Sequence, residues 1–219
     1  MFDSADYLEW VVSREMSTVI GFLIHAWQRL GLPEHVQFDD GREFCGFGHA
    51  ARWLSRVIRF CLRVGVRPVF IPQGRPQRNG AIEHSNGWFQ PLSLGRRLRR
   101  PADVSRELRH LMATTNEPQV RPALGFKTTA QYRRSKRLRK LPAKFALDTD
   151  HFPLASGNVS FIRLVSAAGA IDVLEQDFQV SKRLIFQWVK AIFDTQLQKL
   201  KVYHNCHLLK SFAYPLRKN

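Results

Sequence analysis

Apolar residues recur along the first third of the chain with two different periods, and each switch of period marks an expected element. Tyr7 to Val12 is a short aromatic and β-branched run that reads as a strand. From Ser17 the spacing becomes helical. Ser17 or Thr18 can cap a helix carrying Val19, Ile20, Leu23, Ala26, Trp27 and Leu30, which Gly31 and Pro33 then stop. Val36-Gln37-Phe38 is a brief strand running into Asp39-Asp40-Gly41. A second helix is expected over 50–64, with Leu54, Val57, Ile58 and Cys61 on one face and Gly65 at its end. Val66 to Ile71 is an apolar run between turn residues, a candidate buried strand.

Strand, helix, strand, helix, strand implies parallel pairing with helical crossovers, an α/β layer. The Gly- and Pro-rich stretch Pro72-Gln73-Gly74-Arg75-Pro76-Gln77-Arg78-Asn79-Gly80 reads as a loop. A helix should resume at Ala81 and pass Phe89, packing through Ile82, Trp88 and Phe89. Beyond residue 156 the pattern is one of short strands: Val159 to Val165, Ala170 to Leu174, Ile185 to Phe193, Leu200 to Tyr203 and Leu208 to Tyr214. Gly157, Gly169 and Asn205 mark the bends. These strands suggest a small β-barrel-like module.

Charge changes the picture most. In 219 residues, 34 Lys and Arg face 18 Asp and Glu, a net charge of +16. A balance this basic favours a polyanionic partner, of which nucleic acid is the commonest. The charge is concentrated in residues 96–144, with 15 Lys and Arg against Asp103, Glu107 and Glu117. Its densest piece is Arg133-Arg134-Ser135-Lys136-Arg137-Leu138-Arg139-Lys140. With 44% hydrophobic residues the chain can still bury a core.

Cys45, Cys61 and Cys206 are widely spaced and odd in number, which fits reduced thiols and offers no zinc pattern. The start Met1-Phe2-Asp3-Ser4 lacks the order of a signal peptide, and no apolar run has membrane-spanning length. A cytoplasmic protein with no membrane partner is the expectation, nucleoid-associated if the source is bacterial.

Two acidic residues stand where chemistry could use them. Asp39 ends a predicted strand, and Glu83 lies in the first turn of a predicted helix. Carboxylates at a strand tip and a facing helix start can converge on a divalent cation, and Mg²⁺ takes such hard oxygen ligands. Taken singly, Asp39 can equally cap a turn, and Glu83 can favour a helix N-terminus.

Their flanking words carry a resemblance. Phe38-Asp39-Asp40-Gly41-Arg42-Glu43-Phe44 is similar to the "DNG-x-x-F" segment of retroviral integrases and their transposase relatives. Pro76-Gln77-Arg78-Asn79-Gly80-Ala81-Ile82-Glu83-His84-Ser85-Asn86 resembles their "P-x-x-N-G-x-x-E-x-x-N" signature, the more specific of the two. Asn116 and Arg121-Pro122-Ala123-Leu124-Gly125-Phe126-Lys127-Thr128-Thr129 resemble, imperfectly, the segment that follows in that family.

The resemblance implies a DDE-type transposase or integrase: a partial RNase H-like mixed sheet with helices, a basic helical linker and a small C-terminal β-module. Its boundaries would be 1–95 for the catalytic core, 96–144 for the basic extension and 145–219 for the β-module. Carried over by position, Asp39 and Glu83 would be the catalytic carboxylates and ligands of Mg²⁺ (or Mn²⁺), with no small-molecule cofactor. Asn79 and Gly80 would shape the turn that delivers Glu83. Arg75, Arg78 and Asn79 would contact DNA, together with Arg133, Arg134, Lys136, Arg137, Arg139 and Lys140, and Asn86 would support its helix or contact DNA. In the β-module, Arg163, Lys182, Arg183, Lys190, Lys199 and Lys201 could line a DNA-facing surface, with Trp188 and Phe186 as core rather than stacking platforms.

Two departures from the family pattern matter. Asp40 replaces the usual Asn, an extra carboxylate expected either to alter metal affinity or to raise the pKa of one of the pair by like-charge repulsion. The first catalytic Asp has no counterpart, because Asp3 and Asp6 align with a turn outside the site. Without that first strand, the strands at Val36 and Val66 are expected to expose an apolar edge. The expectation is therefore an N-terminally truncated, inactive transposase-like chain that still binds element ends and target DNA. Transposases of this class work as multimers, so self-association is expected with it. The competing readings are a non-catalytic DNA-binding remnant or regulator, and an RNA-binding basic protein, which would not need the Asn79-Gly80 and Glu83 motif.

Overall fold

The computed structural model describes residues 5–45, 53–72, 100–116, 120–145 and 153–216. In chain order the elements begin with α1 (Met16–Leu30), β1 (His35–Asp39), α2 (Arg42–Cys45), α3 (Arg56–Arg63) and β2 (Arg67–Ile71). They continue with α4 (Pro101–Asn116), β3 (Val120–Arg121), β4 (Lys127–Thr128) and α5 (Thr129–Arg134). The C-terminal strands are β5 (Asn158–Leu164), β6 (Ala170–Asp172), β7 (Asp177–Gln179), β8 (Trp188–Asp194), β9 (Lys199–His204) and β10 (His207–Ala213). The chain divides into two compact units. One comprises Met1–Arg14, Gly21–Leu32 and Pro76–Phe145; the other comprises Glu15–Ile20, Pro33–Arg75 and Ala146–Asn219.

In the first unit, α1 ends where Gly31 takes a left-handed φ of +89° and donates its N–H to the Trp27 carbonyl at 3.0 Å. A side chain there would meet the Arg139 carbonyl at 3.1 Å. The expected strand at Tyr7 to Val12 does not form. Asn116 at the end of α4 instead holds the backbone of the residue just before the run. Its side-chain amide accepts from the Asp6 N–H and donates to the Asp6 carbonyl, both at 2.9 Å. Trp10 and Val12 are left 53% and 92% exposed, so this β-branched run has no ladder to join. Helix α5 is held by a capping box, in which Thr128 accepts from the Gln131 N–H and Gln131 accepts from the Thr128 N–H.

The second unit contains the sheet. Its strand order is β1-β2-β5-β8-β9-β10. β1 and β2 run parallel in register Phe38↔Phe70 and Asp39↔Ile71, as the α/β reading required. Between them α3 is shorter than expected. It starts at Ser55, whose hydroxyl accepts from the Ile58 N–H and donates to the Phe44 carbonyl. Residues Val57 to Leu62 of α3 are all buried, so its core contact extends well beyond the expected single face.

The C-terminal strands match the sequence reading in position, except that β8 begins at Trp188 and not Ile185 and that β7 was not expected. They do not match it in closure. β5 pairs parallel with β2, at Val69↔Ser160 and Phe70↔Phe161, and β8, β9 and β10 follow antiparallel. They extend an open mixed sheet, and no closed barrel is present among the described residues. The expected double apolar edge is likewise corrected. β1 lies at one end of the sheet, with Phe38 buried, whereas β2 is flanked on its second side by β5.

Phe38, Phe70 and Phe161 stand in one cross-strand row, with ring centroids 5.8 and 5.4 Å apart. Aromatic cross-strand neighbours of this kind stabilise a sheet beyond their buried area. Gly157 ahead of β5 is tight against α3, where an added methyl would meet Leu62 Cδ2 at 2.8 Å. The rest of the core is formed by Val159, Ala191, Phe193, Leu200, Val202 and Tyr214, with Ile171, Val173 and Phe178 from the β6–β7 region. Among the described residues, no helix is long and apolar enough to cross a membrane.

Candidate metal and nucleic-acid site

Asp39 is the last residue of β1, at the C-terminal end of a parallel strand pair. Its Oδ1 accepts the Gly41 N–H at 3.0 Å, a short turn that fixes the direction of the carboxylate. Phe44 stacks on Phe38 at 4.7 Å, which anchors the segment carrying the turn. Gly41 has no room for a side chain. A Cβ there would lie 2.8 Å from Glu43 Oε2 and 3.0 Å from Asp39 Oδ1. The two carboxylates therefore flank the same glycine, and Glu43 is an acid beside Asp39 that the motif reading passed over.

Asp40 is turned to a different use. Its Oδ1 accepts from Arg163 Nη2 at 2.9 Å, with only 8% of the arginine side chain and 18% of the aspartate side chain exposed. The other arginine nitrogens are also committed: Nε donates to the Asp172 carbonyl at 2.8 Å, and Nη1 donates to the Ile162 carbonyl at 2.9 Å. The guanidinium lies 5.2 Å from the centre of the Phe161 ring. Arg163 is thus corrected from a DNA-facing cation to a buried ion-pair partner. The signal was in the sequence: Arg163 sits in phase with Val159, Phe161 and Val165 on the inward side of a period-two strand.

Burial is the largest influence on the Asp40 carboxyl and pushes it above the usual carboxylate range. The Arg163 charge and hydrogen bond, and then the Cys45 thiol, pull it back part of the way. The neighbouring Asp39 raises it least of all. The expected rise is present, but desolvation causes it, with like-charge repulsion as the minor contributor. The Cys45 thiol, 3.8 Å from Asp40 Oδ1, is also raised, first by burial and next by the Asp40 charge.

Glu83, Arg75, Arg78, Asn79 and Asn86 lie outside the described residues, so the second carboxylate and its motif are not placed beside Asp39. Among the described residues, no group of three or more His, Cys, Asp or Glu side chains gathers to hold a metal ion.

The basic run is irregular beyond Arg134, where α5 ends. Arg134, Lys136, Arg137, Arg139 and Lys140 are exposed, and Arg133 is half-buried. The backbone beneath them is pinned. The Leu32 N–H donates to the Arg139 carbonyl at 2.6 Å, Gln28 Nε2 donates to the Pro142 carbonyl at 2.9 Å, and Leu141 is 7% exposed. The result is a run of exposed cations on a hydrogen-bonded backbone, in which Lys136 Nζ also lies 5.2 Å from the centre of the Tyr132 ring. In the C-terminal strands Lys182, Arg183, Lys190 and Lys199 are exposed and Lys201 is half-exposed. Phe186, expected in the core, is 68% exposed at a left-handed φ of +60°, and Trp188 is half-buried.

No family model and no curated protein matches the chain. Among solved structures, a chain of the simian T-cell lymphotropic virus intasome in complex with PP2A regulatory subunit B56 gamma is similar at 18% identity, with a TM-score of 0.43. The match covers 92% of this chain and 63% of that one, so this chain spans less than two thirds of its length.

Proposed function

We propose that the chain is a DNA-binding protein of the transposition and integration type, in which Asp39 and Glu83 are the carboxylates of a divalent-cation site. The observation that carries this reading is the position of Asp39. It terminates a parallel strand, its carboxylate is held by the turn at Gly41, and it sits in a segment resembling the second acidic motif of DDE-type enzymes. The Asn79-Gly80 and Glu83 word supports the same reading from the sequence.

Mg²⁺ or Mn²⁺ bound there would polarise a phosphodiester and favour a hydroxyl nucleophile. Asp39 contributes a hard oxygen donor of set direction. Arg134, Lys136, Arg137, Arg139 and Lys140 hold the DNA backbone by neutralising phosphates, a contact that reads no sequence.

Five such contacts give an affinity that falls with a log–log salt slope of about −4.5. The test is fluorescence anisotropy of a labelled duplex across a salt series, comparing the native chain with a variant carrying Gln at the five exposed positions. The steep slope should collapse in the variant. An unchanged slope would place DNA binding elsewhere. Mn²⁺ binding to the native chain and to Asp39→Asn then separates the cation site from a second reading, a non-catalytic DNA-binding regulator. That second reading is favoured by one observation, the Asp39 carboxylate capping its own turn. Salt-sensitive DNA binding without Mn²⁺ binding supports it.

A further inference from the structure

Asp40 and Asp39 are adjacent acids at a strand tip, yet they face different partners. Asp39 is held by the Gly41 N–H, while Asp40 is taken up by Arg163 from β5. Arg163 is 7% exposed, and each of its three guanidinium nitrogens donates a hydrogen bond. The strand that carries it is aligned with the site by the Phe70↔Phe161 pairing, one residue before Ile71, the register partner of Asp39. We propose that Arg163 is a positioning residue for this tip: it neutralises Asp40 and commits it away from cation binding, so that Asp39 alone of the pair is offered to a divalent cation.

The inference rests on the reading of Asp39 as a cation ligand and assigns β5 a part in that site. It also accounts for the Asp that stands where the resembling family has Asn. A second negative charge is tolerated at position 40 because the C-terminal strands supply its counter-charge. An unpaired Asp40 would compete for the cation and change its coordination; an unpaired Arg163 would repel it.

Mn²⁺ binding to the full chain, followed by the loss of the free-ion electron paramagnetic resonance signal, tests this without any activity. Four variants are needed: Asp39→Asn, Asp40→Asn, Arg163→Gln, and the double variant Arg163→Gln with Asp40→Asn. The native chain should bind and Asp39→Asn should not. Arg163→Gln should tighten binding about tenfold, because a repelling charge is gone and a carboxylate is released. Asp40→Asn should weaken it about tenfold.

The double variant should return to within about threefold of the native affinity, because both charges are removed together. It also keeps the test open if Arg163→Gln alone does not fold. A double variant as defective as Asp39→Asn would make Asp40 a ligand and overturn the proposal while leaving the reading of Asp39 intact. Native affinity in Arg163→Gln would overturn it equally. A native chain that binds no Mn²⁺ would remove the reading of Asp39, and the proposal with it.

Discussion

Arg163 and the cations of residues 133–140 carry the same charge in opposite surroundings. Arg163 is buried, donates from all three nitrogens and holds one carboxylate. Arg134, Lys136, Arg137, Arg139 and Lys140 are exposed on a strip whose backbone is held by hydrogen bonds at Arg139 and Pro142. A buried guanidinium has lost its hydration and depends on its partner, so removing either side leaves an uncompensated charge. Exposed cations lose little when one is removed, and their effect is collective, through phosphate neutralisation. Composition counts both kinds alike, and burial separates a structural charge from one available for the proposed DNA contact.

The largest effect expected from this contrast is at Arg163. Arg163→Met should destabilise the fold by about 3–5 kcal/mol, because Asp40 stays partly buried without its partner. Urea denaturation followed by circular dichroism measures it. Adding Asp40→Asn to the same chain should recover part of the loss. A loss under about 1 kcal/mol would mean that water replaces the guanidinium and that the pair is not structural.

A smaller effect separates local folding from charge in the basic strip. Thr128 caps α5 through the Gln131 N–H, at 3.1 Å. Thr128→Ala should cost about 1 kcal/mol of stability. The DNA salt slope should remain as in the native chain, since no cation is removed. A reduced slope would show that the direction of the strip, and not its charge alone, sets the phosphate contacts.

The part of this architecture legible in the sequence is the part governed by local periodicity. The helix from Met16, the parallel strands ending at Asp39 and Ile71, and the strands beginning near 158, 170, 188, 199 and 207 all follow from apolar spacing and turn residues. What was not legible depends on partners distant in sequence. Tyr7 to Val12 has a strand composition, but Asn116 holds the backbone of Asp6 just before it and the Met112 sulfur takes the Leu8 N–H, so no strand forms there. The C-terminal strands have barrel-like spacing, but β5 pairs with β2 and leaves the sheet open. Of the candidate site, Asp39 was singled out by its motif. Glu43 was not, because its approach depends on the absence of a side chain at Gly41. Arg163 was misread because its charge was weighed ahead of its phase in the strand.

Asp6 offers a third environment between the two extremes, and the smallest expected effect. It is half-buried in the first unit, and burial pushes its carboxyl above the usual range, while a Thr115 hydrogen bond and the Arg121 charge pull it partly back. Unlike Asp40, it has no close ion pair among the described contacts to offset its desolvation. A carboxyl with a raised folded pKa binds its proton more tightly in the folded state than in the unfolded one. Its contribution to stability is therefore fully present below the ordinary carboxylate pKa and is lost as pH rises through the raised folded value. Asp6→Asn removes that dependence and leaves intact the backbone bonds to Asn116, which do not involve the Asp6 side chain. Comparing urea midpoints at about pH 4 and about pH 7, the native chain should lose more stability on raising the pH than the variant does. Equal losses in the two chains would mean that the Arg121 charge and the Thr115 bond already cancel the cost of burial.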